Sequence, residues 1–265
     1  MKKYKAIIAD LDGVVWRGKK PITPNIEALK KLESKGVKII YLSNNATRSR
    51  KEYIDILRSL GLYADEYTVI NSAYASAQYV KENHGERVFI VGEAGLFYEV
   101  SLAGLLPVTI GSSADHVLVG LDRFVTYNKL AHASNLIREG ARFIAANTDK
   151  TLPVENTLDP GAGSIVNFLI TSSGKEPDAI IGKPNPYILE LALRINNLDK
   201  DEVLIVGDRL DTDIQLGINT DIDTLLVLTG VSKLEDIEKE GISPTFVAKN
   251  LMAFIYDYPE LFSSD

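Results

Sequence analysis

Apolar runs rich in isoleucine and valine recur along this chain without polar alternation, each followed by a stretch of helical periodicity, and few folds accommodate that succession. The runs are Ala6-Ile7-Ile8-Ala9, Val37 to Leu42, Val88 to Val91, Val117 to Val119, Phe143 to Ala146, Val203 to Val206 and Leu225 to Leu228. A strand with one wet face alternates polar and apolar side chains, whereas a strand covered on both faces does not. Between the runs, Pro24 to Lys35 reads as a helix stopped by Gly36, and Ser49 to Leu60 as one stopped by Gly61. Further helices are expected after Glu93, from Thr126 to Glu139, and up to Asn196. Parallel strands need crossovers, and helices of this length supply them. The prediction is an α/β protein with a doubly wound parallel sheet.

The first and last βα units match in length and hydrophobicity, which makes the middle of the chain an insertion into one sheet. On that reading residues 1–80 and 182–265 form the core, and residues 81–181 form a separate α/β domain. A chain of 265 residues with 45% hydrophobic content is long enough for both.

Charge and composition narrow the function. The formal net charge of -7 argues against a nucleic-acid partner bound through a basic surface. The absence of cysteine excludes a disulfide framework, a thiolate metal site and a cysteine nucleophile. His84, His116 and His132 lie in separate segments and suit surface or packing roles better than zinc. No segment approaches the roughly 20 apolar residues needed to span a bilayer, and the first apolar stretch ends too early for a signal peptide. A soluble cytoplasmic protein acting on small molecules is expected, without a membrane partner.

The chemistry-bearing residues follow the apolar runs, where ligands collect in open parallel sheets. Asp10 and Asp12 stand one residue apart at the end of the first run, on the same side of an extended backbone. Two carboxylates that close resist joint ionisation unless a cation or a shared proton compensates. Ser43-Asn44-Asn45 follows the second run, where a hydroxyl and backbone N–H groups at a helix start could hold phosphate oxygens. Lys183 in Gly-Lys-Pro is a cation beside a stiff neighbour. Gly207-Asp208-Arg209-Leu210-Asp211-Thr212-Asp213 follows a later run and gathers carboxylates, which suits a hard cation such as Mg²⁺.

Asp-x-Asp-Gly-Val, Ser-Asn-Asn, Gly-Lys-Pro and Gly-Asp-x-x-x-x-Asp, in this order and each behind an apolar run, resemble the haloacid dehalogenase (HAD) superfamily of phosphatases. The likeness spans the chain. Ala145-Ala146-Asn147-Thr148-Asp149 and Pro160-Gly161-Ala162-Gly163-Ser164 further resemble the NagD and 4-nitrophenylphosphatase branch, with the insertion as its type II cap. The resemblance implies a phosphomonoesterase that uses Mg²⁺ and an aspartyl-phosphate intermediate, with a small phosphate ester as substrate. Asp10 would be the nucleophile, and Asp12 the acid for the leaving oxygen and then the base for water. Asp10, the carbonyl of Asp12 and Asp208 would bind the metal, with Asp213 acting on it through a water. Ser43, Asn44, Asn45 and Lys183 would hold the phosphoryl group. Ala162 and Gly163 would reach from the cap to shape the substrate pocket, while the cap lies over the strand ends and excludes bulk water and folded phosphoproteins. An exposed cap face could mediate a homodimer.

Competing readings remain at several positions. Ser43 could simply cap a helix, and Ser164 another. Asp211 could support Arg209 rather than touch metal. Asn147, Thr148 and Asp149 read equally as a polar turn or as a second loop lining the cleft. Trp16 and Arg17 read as part of a flap beside the metal or, for Trp16, as packing. Gly92 to Gly95 lacks the lysine of a nucleotide loop. A true haloacid dehalogenase would have no use for Asp12 or Asp208. A non-catalytic phosphoryl-accepting or ligand-binding module, such as a signalling receiver, would be about half as long and lack the cap.

Overall fold

The computed structural model of this chain describes residues 3–154 and 157–262. They divide into two compact units, one built from the described residues of 3–43, 54–70 and 183–262, the other from those of 44–53 and 71–182.

The first unit is organised by a six-stranded sheet in the order Phe246–Ala248, Thr224–Val227, Val203–Gly207, Ala6–Ala9, Lys38–Ser43, Val69–Asn71. Ala6–Ala9 runs parallel to both neighbours, with Ile8 opposite Ile205 on one side and Ile40 on the other. All four of its residues are buried, as are all of Val203–Gly207 and Thr224–Val227, which is why these strands show no polar alternation. From the central strand the chain winds outward in one direction through Lys38–Ser43, and later in the other through Val203–Gly207. Strand order therefore reverses between Ala6–Ala9 and Val203–Gly207, where a ligand crevice forms in such sheets. Helix Thr23–Ser34 has Pro24 in its first turn, buries Ile26, Ala28, Leu29 and Leu32, and is followed by Gly36 at φ +81°.

The second unit has its own five-stranded parallel sheet, ordered Ala179–Ile180, Arg142–Ala145, His116–Val119, Arg87–Val91, Leu106–Val108. Phe89, Val117, Phe143, Leu136, Ile137, Val166 and Leu169 form its core. An antiparallel pair, Thr151–Val154 with Thr157–Pro160, adds two strands that no apolar run marks in the sequence. Helix Ser72–Glu82 packs against helix Ala94–Leu102, so residues 71–80 group with this unit. Residues 44–53 also belong here, anchored where the Arg50 backbone N–H and Nε donate to the buried carboxylate of Glu99 at 2.8 and 3.2 Å. The Arg50 guanidinium stacks on Tyr74, 3.5 Å from the ring centroid.

Candidate active site

Asp10 leaves the carboxyl end of Ala6–Ala9, and Asp208 that of Val203–Gly207, on adjacent strands at the reversal point. A helical turn over Leu210–Ile214 carries Asp213 back toward them. One carboxylate oxygen from each of Asp10, Asp208 and Asp213 lies within 4.8 Å of the others. Lys183 completes the cluster: its Nζ donates to Asp10 Oδ1 and to Asp213 Oδ1, both at 2.7 Å, and to the Leu42 carbonyl at 3.3 Å. Ser43, the next residue on that strand, is buried.

Burial dominates the electrostatics. It pushes Asp10 well above the usual carboxylate range; Lys183 pulls the other way, while the charges of Asp213 and Asp208 add to the rise. Asp208 is raised to about 7, first by burial and then by Asp213, against a hydrogen bond from the Val231 backbone N–H. Burial alone would lower Lys183, but the carboxylates of Asp10 and Asp213 override it and hold the ammonium charged. Three carboxylates thus face one lysine, and Asp208 Oδ1 is buried without a hydrogen-bond partner. An orphaned buried oxygen costs about 1–3 kcal/mol. Hard divalent cations sit about 2.0–2.6 Å from carboxylate oxygens, so one ion can bridge oxygens at this spacing. The residues fit such an ion.

The cluster is walled by glycines. A Cβ on Gly13, which sits at φ +80°, would lie 2.2 Å from the Asp208 carboxylate; one on Gly230 would lie 1.8 Å from Asp208 Oδ2. Gly13 is held by Thr229, whose hydroxyl donates to its carbonyl at 2.6 Å. The buried Asn25 side chain in turn donates to Val14 O at 2.8 Å and Thr229 Oγ1 at 3.2 Å, and accepts from the Leu251 N–H at 2.8 Å. None of Gly230, Thr229 and Asn25 was singled out from the sequence. For Thr229-Gly230 the only available signal was their place after a strand.

Asp12 is exposed, and its Oδ1 accepts from the Trp16 indole Nε1 at 3.0 Å. The cluster that could hold an ion includes the carboxylates of Asp10, Asp208 and Asp213, not that of Asp12. Asp211 turns outward and forms a two-point ion pair with Arg209, at 3.0 and 2.8 Å. Trp16–Arg17 pairs with Lys20–Pro21 in a short hairpin.

The other expected site residues lie in the second unit. Asn44 Nδ2 donates to Asp149 Oδ1 at 3.0 Å, and the Asn44 carbonyl accepts from Asn147 Nδ2 at 2.7 Å and from the Ser72 hydroxyl. Asn45 Oδ1 accepts from the backbone N–H and hydroxyl of Thr47, both at 2.8 Å, in a local turn. Ala162 and Gly163 open helix Ala162–Ser173, whose N-cap is Gly161, so Ser164 lies inside the first turn rather than at the cap. The Gly163 N–H donates to Asp149 O at 2.9 Å, and a Cβ there would meet Thr148 O at 2.5 Å. Segments 147–149 and 161–163 are thus bound together. Gly182 is also confined: a Cβ would meet Asn44 Oδ1 at 2.6 Å. Within Gly92 to Gly95, Glu93 is occupied by Arg123 in a two-point ion pair at 2.8 and 2.7 Å.

Comparison with known proteins settles the family. A haloacid dehalogenase-like hydrolase model matches residues 7–105, and a HAD-hydrolase-like model matches residues 180–254. An acid sugar phosphatase of Staphylococcus aureus is 41% identical over 252 residues, 95% of this chain and 96% of that protein. The chain belongs to the haloacid dehalogenase-like hydrolases. A p-nitrophenyl phosphatase from Archaeoglobus fulgidus superposes with a TM-score of 0.92 at 37% identity, covering 96% of this chain and 99% of that one. A glycerol phosphate phosphatase from Mycobacterium tuberculosis, solved in complex with calcium, superposes at 0.86 with 36% identity, covering 94% of this chain and 74% of that one. Within the family this HAD enzyme is a phosphatase of the NagD-like, 4-nitrophenylphosphatase branch. No helix among its described residues is long and apolar enough to cross a membrane.

Proposed function

We propose that this HAD phosphatase hydrolyses small phosphorylated metabolites, sugar phosphates foremost, and aryl phosphates such as 4-nitrophenyl phosphate, with Mg²⁺ and through an aspartyl-phosphate intermediate. The observation that supports it most is the convergence of Asp10, Asp208, Asp213 and Lys183 at the reversal point of the sheet. The names of the relatives, acid sugar phosphatase and p-nitrophenyl phosphatase, support the substrate class.

Asp10 keeps its side chain 11% exposed while Lys183 and Asp213 beside it are nearly sealed, so Asp10 is the member of the cluster that a substrate can meet. Its carboxylate oxygen attacks phosphorus in line as the bond to the leaving oxygen breaks, and that oxygen takes a proton from Asp12. Water then attacks phosphorus, Asp12 accepts a proton from it, and the bond to Asp10 breaks to release inorganic phosphate. Lys183 opposes the burial that raises Asp10 and offers positive charge to the equatorial oxygens, and Ser43 with the Asn44 and Asn45 segment supplies hydrogen-bond donors. Asp10, Asp208 and the Asp12 carbonyl would hold Mg²⁺, with Asp213 in support. The ion would supply charge neutralisation for the phosphoryl group. Residues 71–182, with Ala162 and Gly163, are proposed as the substrate-selecting domain.

Phosphate release from 4-nitrophenyl phosphate and from a sugar phosphate, measured with Mg²⁺ and with a chelator, tests this. Wild-type protein should turn over both only with the cation, and show a burst of 4-nitrophenol with label trapped on residue 10. Asp10→Asn should lose at least about 10³-fold while its melting temperature holds. Full turnover by Asp10→Asn would overturn the nucleophile assignment.

A further inference from the structure

We propose that Trp16 is a positioning residue for Asp12: its indole N–H fixes which carboxyl oxygen of Asp12 carries the proton delivered to the leaving group. The proposal rests on the reading of Asp12 as the acid.

Three features of the loop carry it. The Trp16 backbone is tied on both sides of Asp12, with its N–H donating to Leu11 O at 3.2 Å and its carbonyl accepting from the Gly13 N–H at 2.7 Å. The indole therefore starts from a fixed origin, and Trp16 is buried, so the ring has little room to swing. Its Nε1 meets Asp12 Oδ1 at 3.0 Å, although Asp12 itself faces solvent. The last torsion of an aspartate is broad and two-fold, so a donor held at one oxygen sets which of the two oxygens faces it. An indole is a donor with no acceptor, and a carbonyl-type oxygen accepts better than a hydroxyl. Protonated Asp12 therefore keeps Oδ1 as the carbonyl facing Trp16 and carries its proton on Oδ2. As the bond from phosphorus to the leaving oxygen breaks, the electron pair left on that oxygen takes this proton, and Asp12 returns to a carboxylate that the same N–H stabilises.

A tryptophan that merely packs would tolerate phenylalanine, which keeps the aromatic ring and loses the donor. The discriminating variable is the leaving group. 4-Nitrophenolate departs without help from an acid, whereas the alkoxide of a sugar phosphate must be protonated. Trp16→Phe should lower kcat/KM on a sugar phosphate by on the order of tenfold or more, within the range that general acid catalysis supplies. Its loss on 4-nitrophenyl phosphate should stay within about threefold, so that a series of esters shows a steeper dependence on leaving-group basicity. Equal losses on both esters, or none, would overturn the positioning role.

Trp16 is the single tryptophan of the chain, so ¹⁵N spectra contain one indole N–H resonance, which reads the contact without any turnover. It should move upfield and exchange faster in Asp12→Ala; an unmoved resonance would overturn the contact even if Trp16→Phe fails to fold. Sugar-phosphate turnover surviving in Asp12→Asn would overturn the acid assignment and the positioning role with it. Loss in Asp12→Asn combined with a leaving-group-independent Trp16→Phe would overturn the positioning role alone.

Discussion

Binding of a divalent cation should stabilise the first unit strongly at pH 8 and hardly at all at pH 5, because protons and cation compete for Asp208. Burial and the neighbouring Asp213 raise this carboxyl from 3.8 to about 7. A shift of that size corresponds to about 4 kcal/mol between its two protonation states. The folded state holds the proton more tightly than the unfolded chain, so this group's stabilisation is complete below about pH 4 and is lost as pH rises to 7. Above pH 7 the cation-free protein carries an ionised, buried Asp208 whose Oδ1 has no hydrogen-bond partner. A cation that binds the ionised form removes that penalty, and below pH 7 its apparent affinity falls about tenfold per pH unit. With Mg²⁺ at about 100 times its dissociation constant at pH 8, the gain is about 2.7 kcal/mol. At pH 5 the affinity is about 100-fold weaker, so the same Mg²⁺ concentration gives about 0.4 kcal/mol. Asp10, also raised, steepens the dependence. Urea unfolding followed by the fluorescence of Trp16, which lies in the first unit, reads both values, with a chelator as control. An equal gain at pH 5 and pH 8, or none at pH 8 under saturating Mg²⁺, would refute the assignment of Asp208 as a cation ligand.

Two substitutions probe the same cluster from either side. Lys183→Met leaves Asp10 and Asp213 buried without their shared partner, and should destabilise the cation-free protein by about 3–5 kcal/mol at pH 8, with a smaller loss at pH 5, as read by urea midpoints. Gly230→Ala forces a methyl group to within 1.8 Å of the present Asp208 Oδ2 position. The displaced carboxylate should weaken Mg²⁺ affinity by about 10–100-fold in a calorimetric titration, and unchanged affinity would count against the site.

The parallel sheets were legible because burial on both faces leaves a direct trace, an apolar run without alternation, and ligands collect at the ends of such strands. Where an element goes is a different matter. The helix Ser72–Glu82 has an apolar face that declares its burial without declaring its partner, which the structure shows to include Ala94–Leu102 of the second unit. The strand Phe246–Ala248, at a sheet edge and only partly buried, lacks the run that marks its inner neighbours. The indole contact to Asp12 is equally silent, since it depends on one side-chain torsion.

The choice among Asp208, Asp211 and Asp213 shows where sequence could have said more. All three lie within six residues of one turn, and charge alone cannot rank them. Space can: a side chain at Gly207 would strike Asp213 at 2.2 Å, and side chains at Gly13 and Gly230 would strike Asp208 at 2.2 and 1.8 Å. No glycine of the chain stands in that relation to Asp211, which is 57% exposed and bonded to Arg209. A carboxylate that must sit in a crowded crevice needs neighbours without a Cβ, whereas one facing solvent needs only a countercharge. The glycines flanking acidic residues at strand ends therefore carry information about which acids turn inward, and here they point to the two that meet Lys183 and Asp10.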